Sequence, residues 1–226
     1  MEYRIIGNTV PAVEFKLNSG DSIYTQRGGM TWKTPGVSMK TNTNGGIMKG
    51  LGRMLAGESI FMSTYTAERD GEKLAIGSTV PGGVVPVNLN DWNNGIIFQK
   101  GSFLCAEPSV TCKIELTKRF SAGLFGGEGF ILQSASGNGA LFLEVDGDQV
   151  EMVLGDGEVL QVDTGNVVAF EKSVKYEVET VKGLSNIFLG GEGLFLTKLI
   201  GPGRVILQTL NFTDFAGRVL SLQDKK

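Results

Sequence analysis

Three glutamates occupy the same place in three glycine-rich blocks, and they are the residues whose spacing most suggests chemistry. Glu128 and Glu192 each stand in a Gly-Gly-Glu-Gly block, 64 residues apart, and Glu58 stands in a weaker Ala-Gly-Glu-Ser copy. If the three blocks surround one axis, their carboxylates would converge and could bind a cation through oxygen ligands. Alternatively, each carboxylate accepts hydrogen bonds from the backbone N–H groups of its own turn.

A second recurring feature is a cation that follows an apolar strand pattern. Arg27 and Lys100 hold equivalent positions, 73 residues apart, and Lys172 is a fainter third copy. Such cations can build a phosphate-binding and base-stacking surface for single-stranded nucleic acid when aromatic side chains accompany them. The aromatic side chains nearby in the sequence are Tyr24, Trp32, Trp92 and Phe98. The alternative is a solvated strand face above core aromatics.

Charge and composition narrow the possible functions. The chain holds 21 Lys and Arg against 24 Asp and Glu, a net charge of −3, which disfavours a nucleic acid partner. It has no histidine. Histidine is the commonest general base near neutral pH and the commonest metal ligand. We therefore expect a protein that is not an enzyme and that carries no cofactor.

Alternating apolar and polar residues predict an all-β chain. Residues 13–17, 111–116 and 176–179 alternate as half-buried strands do, and Asp-Gly and Pro-Gly pairs mark the turns between such runs. The repeated blocks predict about three similar β units near residues 1–79, 80–144 and 145–210. Separate units would leave long sheet edges exposed, so we expect one domain over residues 1–226.

Two segments depart from the β pattern. Between residues 45 and 56, Ile47, Leu51, Met54 and Leu55 share one face of a predicted short helix. That apolar face could close an end of the β structure, or it could contact a membrane surface or a protein partner. A second short helix is predicted near residues 214–222, with Thr213-Asp214 as its cap.

Cys105 and Cys112 flank a plausible turn, so they could form a disulfide across a hairpin or remain two buried free thiols.

The first residues do not have the pattern of a signal peptide, and no apolar run approaches the roughly 20 residues of a membrane-spanning helix. We therefore expect a soluble protein of the cytoplasm.

Five segments, in order along nearly the whole chain, resemble a family of uncharacterised proteins related to the altered-inheritance-of-mitochondria proteins. These segments are residues 20–22, 28–30, 49–61, 100–104 and 124–129. The resemblance implies a double-stranded β-helix, or jelly-roll-like sandwich, similar to the fold of the tryptophan-RNA-binding attenuation protein. It implies no reaction and supplies no catalytic residues.

Together these features favour a non-enzymatic scaffold or binding protein that associates with itself as a homo-oligomer. The alternative is a module that binds a small molecule, a lipid or RNA, either at the mouth of a β-barrel or on the basic and aromatic face. The candidate interaction residues are the helix face of 45–56 together with Arg27 and Lys100.

Overall fold

The computed structural model describes residues 1–26, 28–41, 62–92, 95–118, 130–180 and 195–222. Almost all of the regular structure in these ranges is β-strand, and one helix lies near the C-terminal end. The elements are β1 (Glu2–Ile6), β2 (Ala12–Leu17), β3 (Ser22–Gln26), β4 (Met30–Lys33), β5 (Val37–Thr41), β6 (Met62–Ala67), β7 (Glu72–Gly77), β8 (Gly82–Asn88), β9 (Ile96–Gln99), β10 (Phe103–Ala106), β11 (Val110–Lys118), β12 (Phe130–Gly137), β13 (Ala140–Asp146), β14 (Gln149–Leu154), β15 (Val159–Asp163), β16 (Val167–Glu171), β17 (Lys175–Thr180), β18 (Phe195–Ile200), β19 (Gly203–Gln208) and α1 (Phe212–Ser221).

The strands form four sheets in the described part of the chain. Sheet 1 has the order β1-β2-β7-β4, and sheet 2 has the order β5-β6-β3-β10-β13-β8. Sheet 3 has the order β11-β12-β9-β16-β19-β14, and sheet 4 has the order β15-β18-β17. All of the strand pairs in these sheets are antiparallel, and most of them join strands that are not consecutive along the chain.

One pairing scheme recurs in three consecutive sets of six strands. We call β2–β7 the first set, β8–β13 the second set and β14–β19 the third set. Within each set the first strand pairs with the sixth, the second with the fifth, the third with the sixth, and the fourth with the fifth. The second strand of one set also pairs with the third strand of the next, in β3·β10 and β9·β16.

The apolar side chains form three buried clusters, each between successive sheets. The first cluster joins sheets 1 and 2 and includes Phe15 and Phe142, and the second joins sheets 2 and 3 and includes Phe98 and Leu141. The third joins sheets 3 and 4 through residues such as Leu199. The inner strands β13 and β16 are therefore buried on both faces, which explains their nearly continuous apolar sequences.

The prediction of an all-β sandwich is confirmed. The three alternating runs at 13–17, 111–116 and 176–179 lie in β2, β11 and β17. The predicted unit boundaries stay a prediction, and the predicted helix of 45–56 lies outside the described residues. Among the described residues, no helix has the length and apolar character needed to cross a lipid bilayer.

The predicted C-terminal helix exists, but its predicted cap is wrong. Helix α1 begins at Phe212, and its N-cap is Asn211, whose side-chain Oδ1 accepts a hydrogen bond from the Asp214 backbone N–H at 3.3 Å. Thr213 and Asp214 therefore lie inside the first turn. Asparagine and aspartate are both good N-caps, so the sequence alone allowed either position.

Candidate functional site

Consecutive sets meet where the second strand of one set pairs with the third strand of the next, and we call this strand pair a joint. The two joints within the chain are β3·β10 and β9·β16. In each third strand a β-bulge interrupts the register with the sixth strand, at Thr31 in β4, Leu104 in β10 and Val168 in β16. In the joint β3·β10, the residue after the bulge, Cys105, pairs with Thr25, the penultimate residue of β3.

The second joint, β9·β16, repeats this register. Ala169 follows the bulge of β16 and pairs with Phe98, the penultimate residue of β9. One position further along, Phe170 pairs with Ile97, as Ala106 pairs with Tyr24 in the first joint. The position after the bulge therefore marks equivalent places in all three third strands.

A buried hydrogen bond holds the first joint at its bulge. The Thr25 hydroxyl donates to the Leu104 carbonyl at 2.6 Å, and both residues are buried. A bulge removes one carbonyl from the regular ladder, and a buried carbonyl needs a donor. The threonine side chain supplies that donor from the neighbouring set.

One second strand and one third strand take part in no joint, and each has one open edge. Strand β4, the third strand of the first set, pairs only with β7, and β15, the second strand of the third set, pairs only with β18. Sheet 1 therefore ends at β4 and sheet 4 ends at β15, within the described part of the chain. An open strand edge presents backbone N–H and C=O groups that can pair with another strand.

The exposure of β4 agrees with its position at an edge. Trp32 is 40% exposed, whereas its counterparts after the bulge, Cys105 and Ala169, are fully buried. Every residue of β10 is buried, and so is every residue of β16 except the last. In β4 the residues from Thr31 to Lys33 are exposed.

A similar difference marks the first strand of the third set. Met152 in β14 holds the position that Phe15 holds in β2 and that Val87 holds in β8. The partners of these three residues, at equivalent positions of the sixth strands, are Val205, Leu74 and Leu141. Met152 is 38% exposed, whereas Phe15 and Val87 are buried. The neighbouring Val150 is equally exposed, and its counterparts Val13 and Val85 are buried.

The first strand of each of the first two sets is partly buried by side chains from the next set along the chain. Phe142, in the sixth strand of the second set, packs edge-to-face on Phe15 with ring centroids 5.2 Å apart. In the same way Ile206, in the sixth strand of the third set, belongs to the buried cluster that contains Val87. Strand β19 is followed by α1, and no residue of that helix is buried. Met152 therefore lacks the kind of cover that its counterparts have.

Charged side chains lie on the outer face of sheet 1 beside Trp32. Arg4, Glu14, Ala75 and Trp32 occupy one row across β1, β2, β7 and β4. The Arg4 guanidinium hydrogen-bonds to the Glu14 carboxylate at 2.9 Å and, with smaller contributions from Lys73 and Trp32, holds the pKa of Glu14 below its usual value. This row is polar at β1 and apolar at the open edge.

Two acidic side chains of β13, Glu144 and Asp146, have raised pKa values, and Asp146 contacts the start of α1. Glu144 is buried and accepts hydrogen bonds from the Thr79 backbone N–H at 2.9 Å and from the Thr79 hydroxyl at 3.1 Å. Burial raises the pKa of Glu144 despite these bonds, and burial also raises the pKa of Asp146. Asp146 accepts a hydrogen bond from the Phe212 backbone N–H at 3.2 Å, so this carboxylate helps to position the helix.

Both cysteines are free and buried. Burial raises the pKa of the Cys105 thiol well above its usual value and that of the Cys112 thiol to about 11. Cys112 contacts the Tyr24 hydroxyl at 3.7 Å. A thiolate is the reactive form of cysteine, so these two thiols are poor nucleophiles.

Most of the side chains that the sequence proposed as sites cannot be placed. Lys100 begins a short 3-10 turn between β9 and β10 and is partly buried. Lys172 is exposed, and its ammonium lies 3.7 Å from the Glu115 carboxylate. The candidates that lie outside the described residues are Arg27, Ile47, Leu51, Met54, Leu55, Glu58, Glu128 and Glu192. No group of three or more Cys, Asp or Glu side chains that could hold a metal ion occurs within the described ranges.

Three of the four aromatic side chains named for a possible nucleic-acid surface lie in the core, as the alternative of core aromatics expects. Tyr24, Phe98 and Trp92 are buried, so three of the four aromatic rings cannot stack on bases. Tyr24 stacks on Phe103 instead, and the Arg204 guanidinium lies 4.1 Å from the Trp92 ring centroid. Arg204 also contacts Glu171 at 3.1 Å. These rings are part of the protein core.

The sequence did not show which strands have the open edges, because the recurring segments look alike. The signal that could have revealed them is the polarity of β4. Its sequence, Met-Thr-Trp-Lys, stands where β10 has Phe-Leu-Cys-Ala and β16 has Val-Val-Ala-Phe. A polar strand with a lysine at this place is typical of a sheet edge.

Known proteins resemble this chain over almost its full length. An uncharacterised protein of Streptococcus pyogenes serotype M6 is 32% identical over 215 residues, which cover 92% of this chain and 84% of the relative. A crystal structure of another Streptococcus pyogenes protein matches with a TM-score of 0.77 and 28% identity, over 98% of this chain and 99% of that one. The family model described as Mitochondrial biogenesis AIM24 matches residues 3–210. The chain therefore belongs to the AIM24 family.

Proposed function

We propose that this protein is a non-enzymatic scaffold that works by associating with copies of itself. The three sets are, in this proposal, three copies of one β unit in a jelly-roll-like, double-stranded β-helix arrangement. The recurring pairing scheme and the recurring bulge support this view. A place in the cytoplasm also belongs to the proposal, and the two buried free thiols support it.

The observation that carries the proposal is the exposure of Met152 and Val150 at positions whose counterparts are buried. Both side chains lie on the face of β14 that also holds the buried Leu154. Completing the burial of each side chain would stabilise a complex by about 1 kcal/mol. The exposed face of β14 therefore favours contact with another copy of the chain, whose strands would cover it as the following set covers β2 and β8.

Two variants of one strand test this proposal. Met152→Asp places a charge on the face that holds Leu154, and Val153→Asp places the same charge on the opposite, exposed face. Light scattering and sedimentation velocity, from low to high micromolar concentration, would measure the mass of each variant. We expect the wild type and Val153→Asp to form an oligomer. We expect Met152→Asp to have a lower mass in solution than the wild type at the same concentration. A monomeric wild type at every concentration would contradict the proposal.

Helix α1 supports a second candidate function, the binding of a lipid surface. Phe212, Phe215, Val219 and Leu222 are all exposed, and Phe215, Val219 and Leu222 follow one helical face. An amphipathic helix of this kind can lie in the interface of a bilayer. Flotation with phosphatidylcholine–phosphatidylglycerol vesicles tests it. Equal flotation of the wild type and Phe215→Asp, or no flotation at all, would rule it out.

A further inference from the structure

We propose that two copies of this chain join head to tail, with β4 of one copy pairing antiparallel with β15 of the next. This inference rests on the proposed self-association and names its interface and its partner, a second copy of the chain. The structure contains two internal examples of the contact, β3·β10 and β9·β16. Strands β15 and β4 are the remaining second and third strands of the same scheme, and each has one open edge.

The internal joints fix the register of the intermolecular one. In both, the residue after the bulge pairs with the penultimate residue of the second strand. Trp32 follows the bulge in β4, and Val162 is the penultimate residue of β15. Trp32 of one copy therefore lies opposite Val162 of the next, and Lys33 lies opposite Gln161.

The proposed register brings the exposed apolar side chains together. In the first joint Cys105 shares a buried cluster with Phe15, and in the second Ala169 shares one with Val87. The corresponding residues of the intermolecular joint are Trp32 of one copy and Met152 of the next. Where the two internal joints have the small side chains of Cys105 and Ala169, the intermolecular joint has the large ring of Trp32. This ring would cover the face of β14 that is exposed in the single chain.

The polar residues of the two edges are also compatible. Lys33 and Gln161, opposite each other, are both exposed, and Asp163 is the diagonal neighbour of Lys33 on the same face of the paired strands. A lysine beside an aspartate favours this register over one shifted by a single residue, which would also turn Trp32 to the other face. Polar edges further allow the separate chain to stay in solution before it associates.

Strands β4 and β15, each with one open edge, belong to the first and the last of the four stacked sheets. Three successive clusters separate sheet 1 from sheet 4. Among the described strands, the pairings between sets join the first set to the second in β3·β10 and the second to the third in β9·β16. A partner strand for each edge is therefore drawn from another copy. Because the two surfaces differ, the contact is heterologous and builds a ring or a filament.

Cysteine cross-linking of two single variants tests the inference. Lys33→Cys and Gln161→Cys alter exposed residues that the register places opposite each other, at a separation that suits a disulfide. Mixed and oxidised at tens of micromolar, the two proteins should give a cross-linked heterodimer. The wild type, whose two cysteines are buried, measures the background. Lys33→Cys mixed with Glu151→Cys, an exposed position out of register, is the matched control.

A double variant, Lys33→Cys with Gln161→Cys in one chain, separates the possible outcomes. A ladder of cross-linked multimers, together with the heterodimer from the mixture, supports the inference. A disulfide formed within one chain, with no heterodimer from the mixture, overturns it. So does an oligomer in solution that gives no cross-link above the control, although self-association then stands. A monomer that gives no cross-link at all contradicts both proposals.

Discussion

Phe15 and Phe142 pack edge-to-face across two sheets, with ring centroids 5.2 Å apart and an interplanar angle of 87°. Phe15 belongs to the first set of strands and Phe142 to the second, and both side chains are almost completely buried. Tyr3 of β1 packs on the same Phe142 ring at 4.9 Å. The contact between sets thus depends on a side chain that has no polar partner and whose contribution is packing alone.

Phe142→Ala should therefore be among the most destabilising single substitutions in this chain. Truncating a buried phenylalanine costs about 3–5 kcal/mol of unfolding free energy, because apolar contacts are lost and a cavity remains. Urea denaturation followed by circular dichroism would measure the change. Val153→Ala, on an exposed position of β14, is the control and should change stability by less than about 0.5 kcal/mol. Equal effects of the two variants would contradict this prediction.

Thr25→Val tests the hydrogen bond at the bulge of the first joint. Valine has nearly the shape of threonine, so the substitution mainly removes the donor to the Leu104 carbonyl. A buried carbonyl left without this donor should lower the unfolding free energy by about 1–3 kcal/mol. Ser38→Ala removes a longer, partly exposed bond to the Thr66 carbonyl and serves as the comparison. A Thr25→Val protein no less stable than Ser38→Ala would show that the bulge does not need this donor.

Much of the fold could be predicted because its signals are local. Alternation along residues 13–17 follows from one buried and one exposed face of β2. Asp70-Gly71 ends the short connection from β6 in sheet 2 to β7 in sheet 1, with Gly71 at a positive φ of 78°. The order of strands within the four sheets was not predictable in this way. It depends on which distant edges meet, and Thr25 and Cys105, which meet across β3·β10, are 80 positions apart.

The candidate site was harder to predict for the same reason. Trp32 and Met152 have ordinary residue types for a strand, and only their exposure relative to Cys105 and Phe15 distinguishes them. Exposure depends on which set lies next to a strand. The polar sequence of β4 indicates a sheet edge, but it does not identify the strand that would cover Met152. The recurring blocks themselves were visible in the sequence, but the glutamates within them lie outside the described residues.

Glu144→Gln should change how stability depends on pH. Burial raises the pKa of Glu144 in the folded protein above 4.5, its ordinary value. The folded state then holds a proton at pH values where the unfolded chain has released it. The stabilisation is complete below the unfolded pKa and is lost as pH rises through the folded pKa. Relative to Glu144→Gln, the wild type should lose stability as pH rises from 4 toward neutrality.

Thermal denaturation of both proteins at several pH values would measure this difference. The amide of glutamine can still accept a hydrogen bond from the Thr79 backbone N–H, so the fold should be preserved. Glu115→Gln, an exposed carboxylate that pairs with Lys172, serves as the control for a lost surface charge. A wild type that becomes more stable than Glu144→Gln with rising pH would reverse the sign and refute the prediction.

Trp32 fluorescence should report the proposed joint directly. The chain has two tryptophans, and Trp92 is already buried beneath the Arg204 guanidinium, so only Trp32 can change its environment on association. If Trp32 is covered by Val162 and Met152 of another copy, its emission should move to shorter wavelength and its quenching by iodide should fall as the protein concentration rises. Trp32→Phe should abolish both changes while leaving the Trp92 signal. Emission that stays constant while the measured mass increases would place Trp32 outside the interface.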